Sequence, residues 1–364
     1  MWARAGAVVV GTRVVFMLLA YAASYFLSAE TEGTPERGLL DIWVHWDASR
    51  FLTIAEHGYD GPNSTPNGTA FFPLFPLTIR ALTAAGFNGI VAGLLISAVA
   101  SWVALAYLYR LADMAEPGTG RSAILYLALW PTAVFLIAPY SESLFLAGAI
   151  AAFYYAKCSS WHLVGIPAAV AMGSRFAGVF LLAGLAVEFL AQRDFTSKRV
   201  ANAGLSLVIG LLPLLAYAAF LSQIRGDPFY FFVDQQQGWG RSFTDPLSAW
   251  TTSVDRLDLA ASGNMMAAYR FEIAAALVGL GLVAWAAVRR EWAYAIYMGL
   301  LLAALATSTE YMSIPRILLT CFPAALLIAH ATHGNKTAHE IYLAATTVTM
   351  GLGVVVYTRG AWFF

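Results

Sequence analysis

Charge is what this chain lacks most. Of its 364 residues only 12% are Asp, Glu, Lys or Arg, against 60% hydrophobic, where a soluble domain carries about a quarter charged. A soluble globular domain is therefore excluded, and a polytopic membrane protein is indicated. The formal net charge is +0, which argues against nucleic-acid binding and against a polybasic grip on a lipid surface. Lysine is reduced to Lys157, Lys198 and Lys336 while arginine stays common. With the abundance of alanine, this suggests a GC-rich bacterial genome and hence a bacterial plasma membrane. The two cysteines, Cys158 and Cys321, stand far apart in apolar surroundings and read as buried thiols, not as a disulfide or a metal pair. No His or Cys pair has ligand spacing and no Asp-x-Asp motif occurs, so neither a metal nor another cofactor is expected.

What is present in quantity is long apolar runs. The first reads as a membrane span, not a cleavable signal, because it continues through residue 28 without a small-residue cleavage site. At about 20 residues per crossing, spans are expected near 7–28, 88–111, 121–138, 140–157, 199–221, 269–288, 291–308, 313–331 and 339–358. Region 161–191 carries Gly165, Pro167, Gly173 and Gly178 around Arg175. It reads as two short helices meeting at Arg175, a break tolerated where it lines a cavity. The expectation is an all-α polytopic protein, a single domain over 1–364, with about 10–11 transmembrane helices.

Arginines and lysines in the short loops (Arg4 and Arg13, Arg110 and Arg121, Lys157, Arg193 to Arg199, Arg289-Arg290, Lys336) fall on one side of this count. By the positive-inside rule that side is cytoplasmic. The long loops 29–87 and 222–268 then lie outside, together with the Pro139-Tyr140 turn.

The first outer loop carries the most concentrated chemistry. Residues 30–37 are polar and expected to be irregular. From Asp41 the pattern becomes a short amphipathic helix, with Asp47, Arg50, Ile54 and His57 on one face and Gly58 as its stop. A second short helix, from Phe71 through Arg80 to about Ala85, suits the membrane interface. A carboxylate at that boundary can take the proton of an acceptor hydroxyl, and a nearby Arg can hold a phosphate leaving group. Asp47 can equally be a helix cap, and His57 a residue of the helix end.

Further along, Glu142 follows Pro139-Tyr140-Ser141 at the outer end of a span, either as a functional carboxylate or as a first-turn acid favoured by the helix dipole. Arg175 needs a partner or a wet cavity. Glu188 is expected to pair with Arg193, Glu272 with Arg270, and Asp255, Arg256 and Asp258 to be solvated. The second outer loop, with Trp239 and Arg241 among Gln residues, suits sugar recognition or an interfacial aromatic belt. Arg316, at a helix start, calls for an anion or for a carboxylate such as Glu310.

Trp46-Asp47 with Phe51-Leu-Thr-Ile-Ala-Glu-His-Gly-Tyr59 resembles the first-loop signature of the PIG-V-type mannosyltransferases. Ala70-Phe-Phe-Pro-Leu-Phe-Pro76, Tyr140-Ser-Glu-Ser-Leu-Phe145, Ser174-Arg175, Gly226-Asp-Pro228 and Ser313-Ile-Pro-Arg316 resemble it too, in the family's order, over roughly residues 40 to 330. The resemblance implies the GT-C membrane glycosyltransferase fold, a cavity on the non-cytoplasmic side, and a polyprenyl-phosphate donor, usually of mannose. An acid in the first outer loop is commonly the base in such enzymes, and Asp47 occupies that position. The implied reaction is inverting transfer of mannose to a hydroxyl of a glycolipid, glycan or protein acceptor, on the extracytoplasmic side of the membrane. Arg175 or Arg316 would hold the phosphate, with Arg50 and Arg241 as second choices. Trp46, His57, Tyr59, Tyr140, Glu142 and Trp239 are the further substrate-binding candidates. A lipid-linked sugar transporter or flippase, and a non-catalytic subunit of a glycosyltransferase complex, share the same apolar content and stand as alternatives.

Overall fold

A computed structural model describes residues 1–26, 38–259 and 263–363, so the polar stretch expected at 30–37 lies outside the described residues. The chain is helical. Its helices are α1 (Trp2–Phe26), α2 (Asp47–His57), α3 (Leu74–Ala84), α4 (Gly89–Ala115), α5 (Gly120–Ala128) and α6 (Glu142–Lys157). They continue with α7 (Gly165–Ser174), α8 (Gly178–Ala191), α9 (Ser197–Arg225), α10 (Tyr230–Trp239) and α11 (Pro246–Leu259). The last are α12 (Gly263–Val288), α13 (Trp292–Ala306), α14 (Ile314–Thr320), α15 (Pro323–Ala331) and α16 (Lys336–Thr358). Among the described residues the only β pairing is an isolated bridge between Phe243 and Ser308.

Among the described residues five helices, α1, α4, α9, α12 and α16, are long and apolar enough to cross a membrane, and α14 with α15 forms a sixth if counted as one broken span. The 10 to 11 spans expected from hydropathy thus resolve into five or six of full length plus shorter apolar helices. The region expected as one span over 121–138 ends its helix at Ala128 and continues past Pro131 as a 3₁₀ turn, Ala133–Leu136. α6 and α13 have 16 and 15 residues, and at about 1.5 Å per residue such helices fall short of a ~30 Å hydrocarbon core. The break at Arg175, between α7 and α8, is as expected. The second long loop holds α10 and α11, helices that its mixed polar and aromatic composition does not announce.

The chain divides into two compact units. The first comprises 1–65, 74–150 and 325–363, the second 66–73 and 151–324.

In the first unit, α4 is capped by Asn88, whose side chain accepts from the Ile90 and Val91 amides. It packs against α1, α3 and α5. Two carbonyls of the broken stretch 129–141 accept from side chains. Ser97 donates to the Ala138 carbonyl at 2.8 Å, while Arg13 and Ser101 donate to that of Leu136 at 2.7 and 3.2 Å. Side chains here supply what water cannot in an apolar interior. Gly93 lets α4 approach the Pro139 turn: a Cβ there would stand 2.5 Å from the Pro139 Cβ.

In the second unit, α7 packs on α9, α8 on α13, and α12 on α11, α13 and α14. Lys157 pairs with Glu188 at 2.8 Å and Glu291 at 3.6 Å. Glu188 therefore faces Lys157, not the expected Arg193, whose φ of 51° places it in a left-handed turn after α8. Of the cysteines, Cys321 is buried as expected, but Cys158 is exposed, because α6 ends just before it.

Replacing Gly93 by Ala should cost about 1–3 kcal/mol through overpacking against Pro139. In contrast, Gly204→Ala on α9, where a Cβ meets nothing within 4 Å, should gain up to roughly 1 kcal/mol of helix propensity. Thermal unfolding of the two purified variants in detergent, compared with the parent chain, checks the opposite signs.

Candidate active site

In the first unit the site is built around the entry to α2. Gly58, at φ 81°, ends this helix, its amide donating to the Ile54 carbonyl. Arg80 of α3 donates to the last carbonyls, Ala55 at 2.6 Å and Glu56 at 3.3 Å. Phe51 is buried between Phe75 at 5.1 Å and Tyr140 at 6.3 Å, both edge-on. The helix thus presents a fixed N-terminus.

Asp47 is its first residue, and the cap position belongs to Trp46, at φ 54° and ψ −119°. That conformation suits glycine and costs a bulky residue on the order of 1–3 kcal/mol. It persists because its neighbours leave no alternative. Tyr357 of α16 donates to the Trp43 carbonyl at 2.9 Å, and Tyr140 to that of His45 at 3.0 Å. The Ala48 amide donates to His45 at 3.1 Å, and the Ser49 hydroxyl to the Trp46 carbonyl at 2.7 Å. His45 itself reaches the Thr358 carbonyl at 3.3 Å. Asp47 and Arg50 are both half-buried on this anchored turn.

Tyr140 therefore has a defined place in the site, as the clamp on residue 45. Glu142 is fully buried and is the first residue of α6, where an acid is favoured by the dipole. His57 is exposed at the far end of α2, with Glu56 at 3.8 Å, and Tyr59 lies half-buried in the bend beyond Gly58. A hollow of about 410 Å³ opens between α2, α3 and α4, lined by Leu52, Ala55, Ile79, Thr83 and Asn88 among others. Asp47 and Arg50 are not in its walls.

The second unit holds Arg175, Trp239, Arg241 and Arg316. Arg175, half-buried, follows α7 in extended backbone, its amide donating to the Ala171 carbonyl. The next residue, Phe176, joins Phe72, Phe180, Phe231 and Phe232 in an aromatic cluster. Loop residues 66–73 are fastened to this unit. Buried Asp234 of α10 accepts from the Thr69 amide at 2.9 Å and its hydroxyl at 2.5 Å, and Tyr217 donates to the Thr69 carbonyl at 2.8 Å. Trp239 meets Phe71 edge-on at 5.6 Å.

Arg241 reaches the segment that leads into Arg316. Arg241 donates to the Met312 carbonyl at 3.2 Å and the Ser313 hydroxyl at 3.4 Å, and Arg316 is buried in the helical turn that follows. Glu310, expected as the partner of Arg316, instead binds Arg256 at 2.6 Å. The same pair shows that Arg256 is not a merely solvated charge, and Glu310 raises the Arg256 pKa above its ordinary value. Asp245 caps α11, accepting from the Leu247 and Ser248 amides at 3.0 Å each. Its hydrogen bonds with Ser248 hold this carboxyl below the usual range. Burial raises the Tyr311 hydroxyl, whose backbone amide donates to the Ser253 hydroxyl. Among the described residues no three His, Cys, Asp or Glu side chains are grouped as a metal site requires.

Residues 17–200, just over half of the chain, match the sequence model of the family described as Mannosyltransferase (PIG-V). The chain belongs to the PIG-V mannosyltransferase family. The family match includes Trp46, Asp47, Arg50, His57, Tyr59, Tyr140, Glu142 and Arg175 and ends before Trp239, Arg241 and Arg316. A PIG-V relative, GPI alpha-1,6-mannosyltransferase 2 of Homo sapiens, is 38% identical over 121 residues, covering 30% of this chain and 24% of the relative. The protein of the same name from Mus musculus is 30% identical over 208 residues, covering 50% of this chain and 41% of its own length. The matched stretches thus span less than half the length of these PIG-V relatives.

Sequence reading missed three elements of this geometry: the strained Trp46, the Tyr357 clamp from the last helix, and the Asp234–Thr69 lock. None has a local signature, because each depends on a partner far along the chain. Removing one clamp hydroxyl should destabilise the 43–47 entry, by about 1–3 kcal/mol in Tyr357→Phe, where the Trp43 carbonyl loses its tyrosine donor, and by about 0.5–1.5 kcal/mol in Tyr140→Phe, where the His45 carbonyl keeps the Ala48 amide. Both hydroxyls reach the His45 carbonyl, Tyr357 at 3.5 Å, so the double variant should be non-additive. Melting temperatures of the double-mutant cycle, with amide exchange over 43–50, test this.

Proposed function

We propose that this chain is an inverting mannosyltransferase, working at the outer face of a cell membrane with a polyprenyl-phosphate mannose donor. The relatives named GPI alpha-1,6-mannosyltransferase 2 support mannose as the transferred sugar. In the proposed step, Asp47 takes the proton of an acceptor hydroxyl as that oxygen bonds to the anomeric carbon of the sugar. The bond from anomeric carbon to phosphate oxygen breaks and its electron pair leaves with the polyprenyl phosphate. A single displacement inverts the anomeric centre. The acceptor is a hydroxyl of a glycolipid, a glycan or a protein.

The observation that carries this reading is the fixed, half-buried placement of Asp47 on an anchored helix entry. A base must be held still to be useful, and a strained residue kept in place by its surroundings is characteristic of functional sites. Arg175 and Arg316 are assigned to the leaving phosphate, with Arg241 and Arg50 in support. A guanidinium meets a phosphate by charge-assisted, bidentate hydrogen bonds, and the burial of Arg316 strengthens such contacts. Trp46, Trp239, Tyr59 and His57 are assigned to sugar contact, and the apolar helices to the prenyl chain.

With purified protein and polyprenyl-phosphate mannose, product formation read by mass spectrometry should fall about 10²–10⁴-fold in Asp47→Asn. Wild-type turnover by a folded Asp47→Asn protein would remove Asp47 as the base. Arg175→Ala and Arg316→Ala should each raise the donor KM by roughly tenfold or more. Unchanged donor kinetics in both would end the phosphate assignment.

A further inference from the structure

Glu272 is fully buried on α12, one of the helices of spanning length. A carboxylate in such a helix is costly unless its oxygens are satisfied. Both are. One oxygen accepts the Ser313 amide at 2.7 Å and the other the Ile314 amide at 2.8 Å. The expected partner, Arg270, is not what these oxygens meet. The two amides open α14, where helix N–H groups have no partners within the helix.

Ser313 itself stands at φ 67° and ψ 19°, the left-handed region, which disfavours a non-glycine residue unless it is held there. It is held from two directions. Glu272 takes its amide, while the Arg241 guanidinium donates to its hydroxyl and to the Met312 carbonyl. Arg241 is tied in turn to Gln235 at 3.5 Å. Residues 312–314 are thus pinned between a buried carboxylate and a guanidinium, and Arg316 is carried on the turn they open.

We infer that Glu272 is a positioning residue for the donor-phosphate subsite: its carboxylate fixes the Ser313–Ile314 entry, which carries Arg316 and which Arg241 grips from the side. The inference rests on the reading that Arg316 and Arg241 meet the donor phosphate. Because Glu272 already occupies the α14 amides, the phosphate is met by guanidinium groups and not by the helix end. In Glu272→Gln one of the two amides keeps an oxygen acceptor while the other faces an NH2 donor, which frees Ser313 to leave its left-handed conformation. The arginines would remain in the chain but no longer share a fixed frame.

The test uses the full-length protein in detergent with farnesyl phosphate as the probe, inorganic phosphate serving as the control for the headgroup alone. In folded Glu272→Gln, binding of farnesyl phosphate should weaken about tenfold. Amide exchange at 312–314 should accelerate, and kcat should change less than the donor KM. Glu272→Asp, which keeps the charge on a shorter arm, should restore part of the loss. If Glu272→Gln binds farnesyl phosphate as the parent does while Arg316→Gln and Arg241→Gln bind it weakly, the inference falls and the phosphate reading stands. If none of the three weakens binding, the phosphate reading itself falls and this inference with it. Should Glu272→Gln not fold, the parent chain decides. Exchange at 312–314 slowed by farnesyl phosphate supports the inference, and exchange unchanged at saturation overturns it.

Discussion

Backbone that leaves the helix inside an apolar chain must find its hydrogen-bond partners among side chains, because no water is there to supply them. Four irregular stretches among the described residues follow that constraint. Where α5 ends and the chain passes Pro131 and Pro139, the buried carbonyls of Leu136 and Ala138 are met by Arg13, Ser97 and Ser101. Where the chain enters α2, those of Trp43 and His45 are met by Tyr357 and Tyr140. The loop at Thr69 is met by Asp234 and Tyr217, and the start of α14 by Glu272. Polar residues of an apolar chain are thus spent on holding non-helical backbone, and several candidate site residues, Asp47 and Arg316 among them, lie in helices that open directly after it.

The same constraint bears on the two strained residues that precede candidate site residues. Asp47 follows a residue in a conformation that would relax if it were free to, and Arg316 follows another, Ser313. In each case a helix begins immediately after the strained residue, so the helix direction is set by side chains of distant elements and not by a local cap. Strain of this kind is tolerated only where the surroundings over-determine it.

Much of the fold was legible in the sequence because it rests on local signals. The five long helices follow from runs of about 20 apolar residues, α2 from its three- and four-residue spacing, and its end from Gly58. The break at Arg175 follows from a glycine-rich stretch around a charge. What was not legible was the fate of the shorter apolar runs. Hydropathy counts apolar residues and is blind to the prolines at 131 and 323 that cut 121–138 and 313–331 into pieces. The pairings of Glu188, Glu272 and Glu310 were misassigned for a related reason. Sequence proximity suggested Arg193, Arg270 and Arg316, whereas packing delivers Lys157, two backbone amides and Arg256.

The sequence by itself determined the class of protein, the family, and the residues to watch: long apolar runs of about 20 residues make helical membrane spans, and residues 17–200, which match the family, include Asp47, Glu142 and Arg175. Only the tertiary structure decided what holds those residues. The entry to α2 at Trp43 is held by a tyrosine more than 300 residues away, and the Ser313–Ile314 entry to α14 by a carboxylate on another helix. A hydrogen bond between distant segments leaves no periodicity and no spacing in the chain, so it becomes visible only once the helices have packed.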